Sequence, residues 1–357
     1  MRTLLTLCLS LCVACAASRP AVVSPRSPHV AQRGEEFRVV GATERSPGDA
    51  YDAALLFDRA VAAMRAQRCD DALVDLDRLV REFPDASVWH VAQYNRGLCL
   101  QRARRWPDAV DAMRAASRTE RDAALVRDAR FRVAAVGESA ERPEWVIEST
   151  DALLASTTLS ITDRVEANAR RAAALLARGD LDAAELTASE AARVAPTPEA
   201  VSALDDDTWA ARARFVLAEV SRLRAAAITW RVEDADSEQK ITRRVQLVTR
   251  AHAQYNETIR VGNPEWAAAS GFSIGEAYRA LYDAIVDAPT PDAWGEPERE
   301  AYRRRAGERL RRSSRARCGA GRPPSRWRGA TASPTTLGAP REVRRRAARA
   351  DHGARQA

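Results

Sequence analysis

The residues that most often carry chemistry are sparse in this chain and far apart. Its four histidines are His29, His90, His252 and His352, and none stands four residues from another metal-type ligand. That spacing excludes the arrangement by which one helix face grips a metal ion. No Gly-rich phosphate loop runs into a lysine. Carboxylates are so plentiful that some pair always falls at a suggestive distance. Without a cleft signature they read as solvated helix faces, and His90, at a helix start, reads as a surface residue. No metal, cofactor or small-molecule substrate is expected, and the chain reads as a non-enzyme.

The N-terminus carries a different kind of signal. Met1-Arg2-Thr3 gives one positive charge, and Leu4 to Ala14 is an uncharged, largely apolar run. Eleven residues are too few to span a bilayer but suit the core of a secretory signal. Two cleavage readings stay open. Ala14-Cys15-Ala16 offers the small residues that ordinary signal peptidase prefers. Alternatively, Cys12-Val13-Ala14-Cys15 resembles a bacterial lipoprotein signal, departing from it at Cys12, where that family usually has an aliphatic residue. That resemblance makes residues 1–15 a signal and Cys15 the site of lipidation. Residues 16–50, with Pro20, Pro25, Pro28 and Pro47 and no apolar period, read as a flexible linker.

The rest of the chain must be built from helices. From Trp89 to Leu100, Gly97 and Leu100 fall three apart on one helical face, and after Arg104-Arg105-Trp106-Pro107 a second stripe runs Ala109, Met113, Ala116. That is a pair of helices of about a dozen residues joined by a tight turn. Small residues fall where two backbones must approach, and Trp106 and Met113 fill the space left. The pattern of an aromatic or small residue followed three later by Ala or Gly recurs along the chain. It reads Phe57/Ala60, Tyr94/Gly97, Phe131/Ala134, Ala169/Ala172, Phe215/Ala218 and Phe272/Gly275, at steps of 37, 37, 38, 46 and 57. Pro84 and Pro196 each close a unit 27 residues after Phe57 and Ala169. Trp209-Ala210-Ala211 and Trp266-Ala267-Ala268 align as two openings 57 residues apart.

This pattern resembles the tetratricopeptide repeat family, whose small, large and aromatic positions are matched here by Gly97, Leu100, Trp106, Ala109, Met113 and Ala116. The resemblance implies an all-α fold, an α-solenoid of about six helix-turn-helix repeats. Repeats 1–2 would occupy 51–123, repeats 3–4 124–200 and repeats 5–6 201–302. Asp49 can cap the first helix, and Asp205-Asp206-Asp207 the fifth unit.

Composition agrees with thin, close-packed helices: 46% of residues are hydrophobic, many of them Ala, and only 6% are aromatic. The net charge of +7 misleads, because residues 303–357 hold 17 Arg against Glu308, Glu342 and Asp351, which leaves 1–302 at −7. Helical period is expected to end near Arg303. Two readings of the tail stay open: an Arg-rich arm for anionic lipid or lipopolysaccharide, or the product of a reading-frame slip near 303–310. An exported N-terminus argues against nucleic acid as a partner.

The resemblance further implies a concave face lined by the first helix of each repeat. On it would stand Phe57, Met64 and Arg65 of the first unit, and Val91, Tyr94, Leu98, Gln101 and Arg102 of the second. Phe57, Met64, Arg65, Tyr94, Gln101 and Arg102 are therefore the candidate partner-binding residues. The alternative, that Phe57 and Tyr94 pack against the neighbouring helix, stays open. No clamp of Lys and Asn for a carboxylate tail is present, and Lys240 is the only lysine, which argues against chaperone-tail binding. Cys69 and Cys99 sit at helix ends that point the same way in such a solenoid. They are read either as small core residues or as a disulfide. The function implied is an envelope scaffold that binds proteins, on the periplasmic side and anchored to the outer membrane by its lipid. A peptide- or glycan-binding accessory of a cell-wall enzyme is the alternative.

Overall fold

The computed structural model of the 357-residue chain describes residues 51–317, apart from 120, 196 and 205. The signal, Cys15, the linker, the cap at Asp49 and everything beyond Arg317 lie outside the described residues. Thirteen helices and no strand occur among those described, as the all-α expectation requires. They fall into two compact units that meet between residues 213 and 214.

The unit before residue 214 opens with four helix hairpins: α1 (Tyr51–Arg65) with α2 (Cys69–Glu82), α3 (Trp89–Arg102) with α4 (Trp106–Ala116), α5 (Ala123–Ser139) with α6 (Pro143–Leu154), and α7 (Ile161–Arg178) with α8 (Leu181–Val194). A short α9 (Pro198–Ser202) and the start of α10 (Thr208–Ala226) follow. Each hairpin helix packs on the one before and the one after, and the first helices α1, α3, α5 and α7 also touch in succession. The cause is the apolar stripe. In α2 it is Ala72, Leu73, Leu76 and Leu79, all buried, while Asp70, Asp71 and Arg78 stay in water. One continuous core runs from Leu56 in α1 to Val136 in α5. Each Leu or Met it hides contributes roughly 1.5–3 kcal/mol.

Close approach explains the small residues. A Cβ on Gly97 would lie 2.7 Å from Met113 Cε, and one on Gly137 would lie 2.9 Å from Val146 Cγ2 and 3.1 Å from the Arg142 carbonyl. Helix starts follow ordinary rules. Asp122 caps α5 by accepting from the Leu125 amide at 2.9 Å, Ser160 caps α7 through the Asp163 amide at 3.1 Å, and Pro107 and Pro143 occupy first turns.

The four hairpin turns are copies of one another. Gln67, Arg104, Glu141 and Gly179 each take the left-handed conformation, at φ of 60°, 59°, 57° and 84°. After each, the next amide donates back five residues: Arg68 to the Ala63 carbonyl (2.9 Å), Arg105 to Leu100 (2.9 Å), Arg142 to Gly137 (2.8 Å) and Asp180 to Leu175 (3.0 Å). This is the closing turn that satisfies the last carbonyls of a helix. Three of the four turns hold a side chain where glycine would be free of strain.

The unit from residue 214 contains the rest of α10, then α11 (Ser237–Val261), α12 (Pro264–Val286) and α13 (Glu296–Arg317). Here the tight left-handed turn, at Gly262 with φ 90°, joins α11 to α12. Trp209 and Trp266 both open helices and are both buried, as their alignment predicts. Their followers differ. Phe215 is enclosed by Tyr255 (ring centroids 5.5 Å apart) and Trp266 (5.1 Å), whereas Phe272 is 49% exposed. The reason is the register of α12, which buries Trp266, Ala269, Ser270, Ser273, Ala277 and Leu281. Phe272, Gly271 and Gly275 lie off that stripe, on the solvent side.

The boundary expected at Arg303 needs correction, because α13 continues to Arg317. Arg, Ala and Glu are good helix formers, so an Arg-rich composition does not stop a helix that has started. Tyr302 fastens it, donating from its hydroxyl to the Ile285 carbonyl at 2.7 Å.

Candidate partner-binding face

The six residues expected to meet a partner separate into two groups. Phe57, Met64 and Tyr94 are 2%, 1% and 3% exposed and belong to the core. Their assignment to a binding face is corrected. The first helices are covered by their own second helix and by neighbours before and after, so the large side chains near their middles are enclosed. In α3 only Arg102 is fully exposed, and Gln101 is half-buried. Arg65 and Arg102 do face water, in the last turns of α1 and α3 and 37 residues apart. A cation there meets the negative end of the helix dipole, worth about 0.3–1 kcal/mol, so structure alone gives these arginines a use.

Arg102 also lines a cleft of about 440 Å³ with Gln67, Arg68, Cys69, Asp70, Asp71 and Ala103. The cleft lies between the turns of the first two hairpins. Arg102 reaches across it to Gln67 Oε1 at 3.4 Å, and Arg68 pairs with Asp71 at 2.6 Å. The same pairing recurs at the next turns, Arg105 with Asp108 at 2.7 Å and Arg142 with Glu144 at 3.2 Å. The turn edge is therefore a row of alternating charges, open to solvent and spaced by the repeat.

Two ionic locks went unseen in the sequence. Glu138 at the end of α5 accepts from Arg170 of α7 (2.5 Å) and Arg212 of α10 (2.8 Å), and Arg170 also holds Glu166 (2.9 Å). The Trp209 ring lies beneath Arg170, whose guanidinium carbon is 4.1 Å from its centroid. Burial pushes the Glu138 carboxyl up, but the two guanidiniums outweigh it and hold it below the usual carboxylate range. In the second unit Glu219 pairs with Arg222 at 2.7 Å and accepts the Tyr255 hydroxyl, whose acidity is suppressed by burial and then by the Glu219 charge. No spacing rule marks the long-range members, Glu138 with Arg170 and Arg212 and Tyr255 with Glu219. Arg170–Glu166 and Arg222–Glu219, by contrast, fall at the ordinary i,i+4 and i,i+3 spacings of one helix.

The histidines have structural partners. His90 Nδ1 lies 3.3 Å from the Ala115 carbonyl, and His252 Nδ1 is 2.9 Å from the Tyr278 hydroxyl. Gly271-Phe272-Ser273-Ile274-Gly275 fits the Gly-x-Ser-x-Gly spacing of a hydrolase nucleophile. It lies in the middle of α12 with Ser273 buried, so it has none of the strained turn that exposes such a serine. Among the described residues no three His, Cys, Asp or Glu side chains are grouped to hold a metal ion, and no helix is long and apolar enough to cross a membrane. Cys69 and Cys99 are both free thiols, the first half-buried and the second buried.

No protein-family model matches the chain, and no curated protein matches it. Among solved structures it is similar to a crystal structure of a TPR repeats protein from Bacteroides fragilis NCTC 9343. The two are 12% identical with a TM-score of 0.36, over 66% of this chain and 98% of that one. The hairpins themselves, with their 37-residue step, their small-on-large helix contacts and their shared turn, make this fold tetratricopeptide-like.

Proposed function

We propose that the protein is a non-enzymatic scaffold for protein–protein interaction in the bacterial cell envelope, exported and held at the outer membrane by a lipid on Cys15. One observation carries the reading. Stacked hairpins place Arg65 and Arg102 at equivalent, solvent-exposed helix ends, Arg102 lining a cleft between the first two turns, on an edge whose charges repeat with the fold. Such an edge suits an extended polar segment of a partner protein better than a small molecule, since it is long, open and charged. Of the residues first assigned to the face, Arg65, Gln101 and Arg102 remain, and Phe57, Met64 and Tyr94 act through packing.

The test compares the mature chain with an Arg65→Glu/Arg102→Glu variant, each immobilised and exposed to solubilised envelope proteins. A discrete set of proteins retained by the first and lost by the second supports the reading. Equal retention by both overturns the role of this edge, and retention on isolated peptidoglycan instead favours the glycan-binding accessory. Intact mass beside Cys15→Ser tests the anchor: an acyl mass that disappears in the variant, with release to the soluble fraction, is expected.

A further inference from the structure

The second unit holds a cleft that neither the packing argument nor the proposed binding edge uses. About 330 Å³ in volume, it is formed by the 287–292 segment after α12, the first turns of α13, and Arg231 from the segment before α11. Its walls are pinned to one another. The Val232 amide donates to the Pro289 carbonyl at 2.8 Å, and Arg231 Nη2 donates to the Thr290 carbonyl at 3.3 Å. The Tyr302 hydroxyl, donating to the Ile285 carbonyl, fixes α13 against the end of α12. A site held in this way loses little freedom when it is filled.

The charges that line it divide into those already engaged and those left over. Arg231 pairs with Glu233 at 2.7 Å and with Asp292 at 3.3 Å, and Arg303 pairs with Glu296 at 3.3 Å. Two lining side chains remain. Arg299 has no ion pair among the described residues, and its Nε is buried without an acceptor. A buried donor left unmet destabilises the fold unless something else supplies the oxygen. The Asp287 carboxylate likewise has no ion pair or hydrogen bond among the described residues. The two carry opposite charges and line one small cleft, yet they do not pair with each other. An anion alone would satisfy Arg299 and be repelled by Asp287, and a cation alone would do the reverse. A molecule that carries both charges satisfies both.

We propose that this cleft binds a small zwitterion of the α-amino-acid class, its carboxylate on Arg299 and its ammonium on Asp287. The planar guanidinium can offer a carboxylate two parallel N–H donors. The ammonium offers three donors to the acceptor-only oxygens of Asp287. The inference does not rest on the scaffold reading or on export, since it uses only residues of the second unit.

The experiment titrates the full chain calorimetrically with L-serine, propionate and ethylammonium at one ionic strength. L-Serine is expected to saturate a single site in the millimolar range, as suits a ligand of so few atoms. Propionate and ethylammonium should each bind about tenfold more weakly, because each leaves one charge of the cleft unmet. Arg299→Gln and Asp287→Asn should each weaken L-serine by a similar factor. Asp287→Asn should in turn tighten propionate, which then meets no like charge. Propionate binding as tightly as L-serine to the unmutated chain would make the cleft a plain anion site and overturn the assignment. So would the absence of saturation by L-serine, or L-serine binding unchanged in both variants. Because the three ligands are compared on the unmutated chain, a variant that fails to fold does not remove the test.

Discussion

Gly97 and Gly275 hold the same place in the repeat pattern and live in different surroundings. A Cβ on Gly97 runs into Met113, whereas one on Gly275 meets nothing within 4 Å. The aromatic three residues earlier follows suit: Tyr94 is buried and Phe272 is half in water. The four hairpins bury both partners of the motif because another helix always comes next at the same step. In the second unit α12 turns a different stripe inward, and the motif is left on the outside. A repeated spacing therefore specifies how a helix is built, and the neighbouring helix decides which of its faces is covered.

The comparison can be broken most directly at the ionic locks. Arg170→Ala takes the guanidinium from both Glu138 and Glu166, the latter only 1% exposed as a side chain. Breaking a buried pair from one side costs about 3–5 kcal/mol, and native-state hydrogen exchange should show that loss across α5 and α7. A change below about 1 kcal/mol would mean that the hairpins do not depend on this lock.

The glycines sharpen it next. Gly137→Ala must displace Val146 and the Arg142 carbonyl, at an expected cost of about 1–3 kcal/mol. Gly97→Ala should cost less, because the end of Met113 can swing away. Gly275→Ala should go the other way and stabilise by up to about 1 kcal/mol, since only helix propensity changes. Urea unfolding of the three variants would read the ordering, and a destabilised Gly275→Ala would show that its face is covered after all.

Smaller effects belong to the turns. Gln67→Gly and Glu141→Gly relieve a left-handed side chain but loosen the unfolded chain, for an expected net gain of about 0.5–1 kcal/mol. Gly179→Ala should lose a similar amount at the equivalent place. Equal and opposite shifts in the urea midpoint would confirm that the four turns are one structure.

The smallest contrast is with pH. Glu138 is held below the usual carboxylate range, so its contribution is complete above that range. It is lost as pH falls from there through the folded carboxyl's own titration, the unfolded carboxyl taking up its proton first. His252 is lowered from 6.5 by burial, so its unfolded form gains a proton first, and the stability it lends is lost as pH falls below that value. Hydrogen exchange from pH 8 downward should therefore loosen α11 before α5 and α7. The reverse order would contradict both assignments.

The hairpins were legible because contact between helices demands small residues at a fixed step, and that demand is written in the side chains. Gly97, Ala109 and Ala134 were found for this reason. The binding face was misread at Phe57, Met64 and Tyr94 because an aromatic on a first helix looks the same whether a partner or a neighbour covers it. Here the neighbours α2 and α4 do. The turns passed unnoticed because only Gly179 advertises a left-handed residue. Aligning Gln67-Arg68, Arg104-Arg105, Glu141-Arg142 and Gly179-Asp180 at the repeat step would have exposed them. The long-range contacts of Glu138 with Arg170 and Arg212, and of Glu219 with Tyr255, were beyond reach, since carboxylates occur throughout and pairing across helices leaves no local trace.

Because each hairpin helix rests on the helices next to it in sequence, nearly all of its contacts close short loops. Chains of that kind fold quickly and in pieces, from whichever hairpin forms first. During synthesis α1 and α2 can pair before α3 has been made, and every later hairpin then meets a finished edge on which to grow. The same arrangement lets the stack fray from an end while its middle holds.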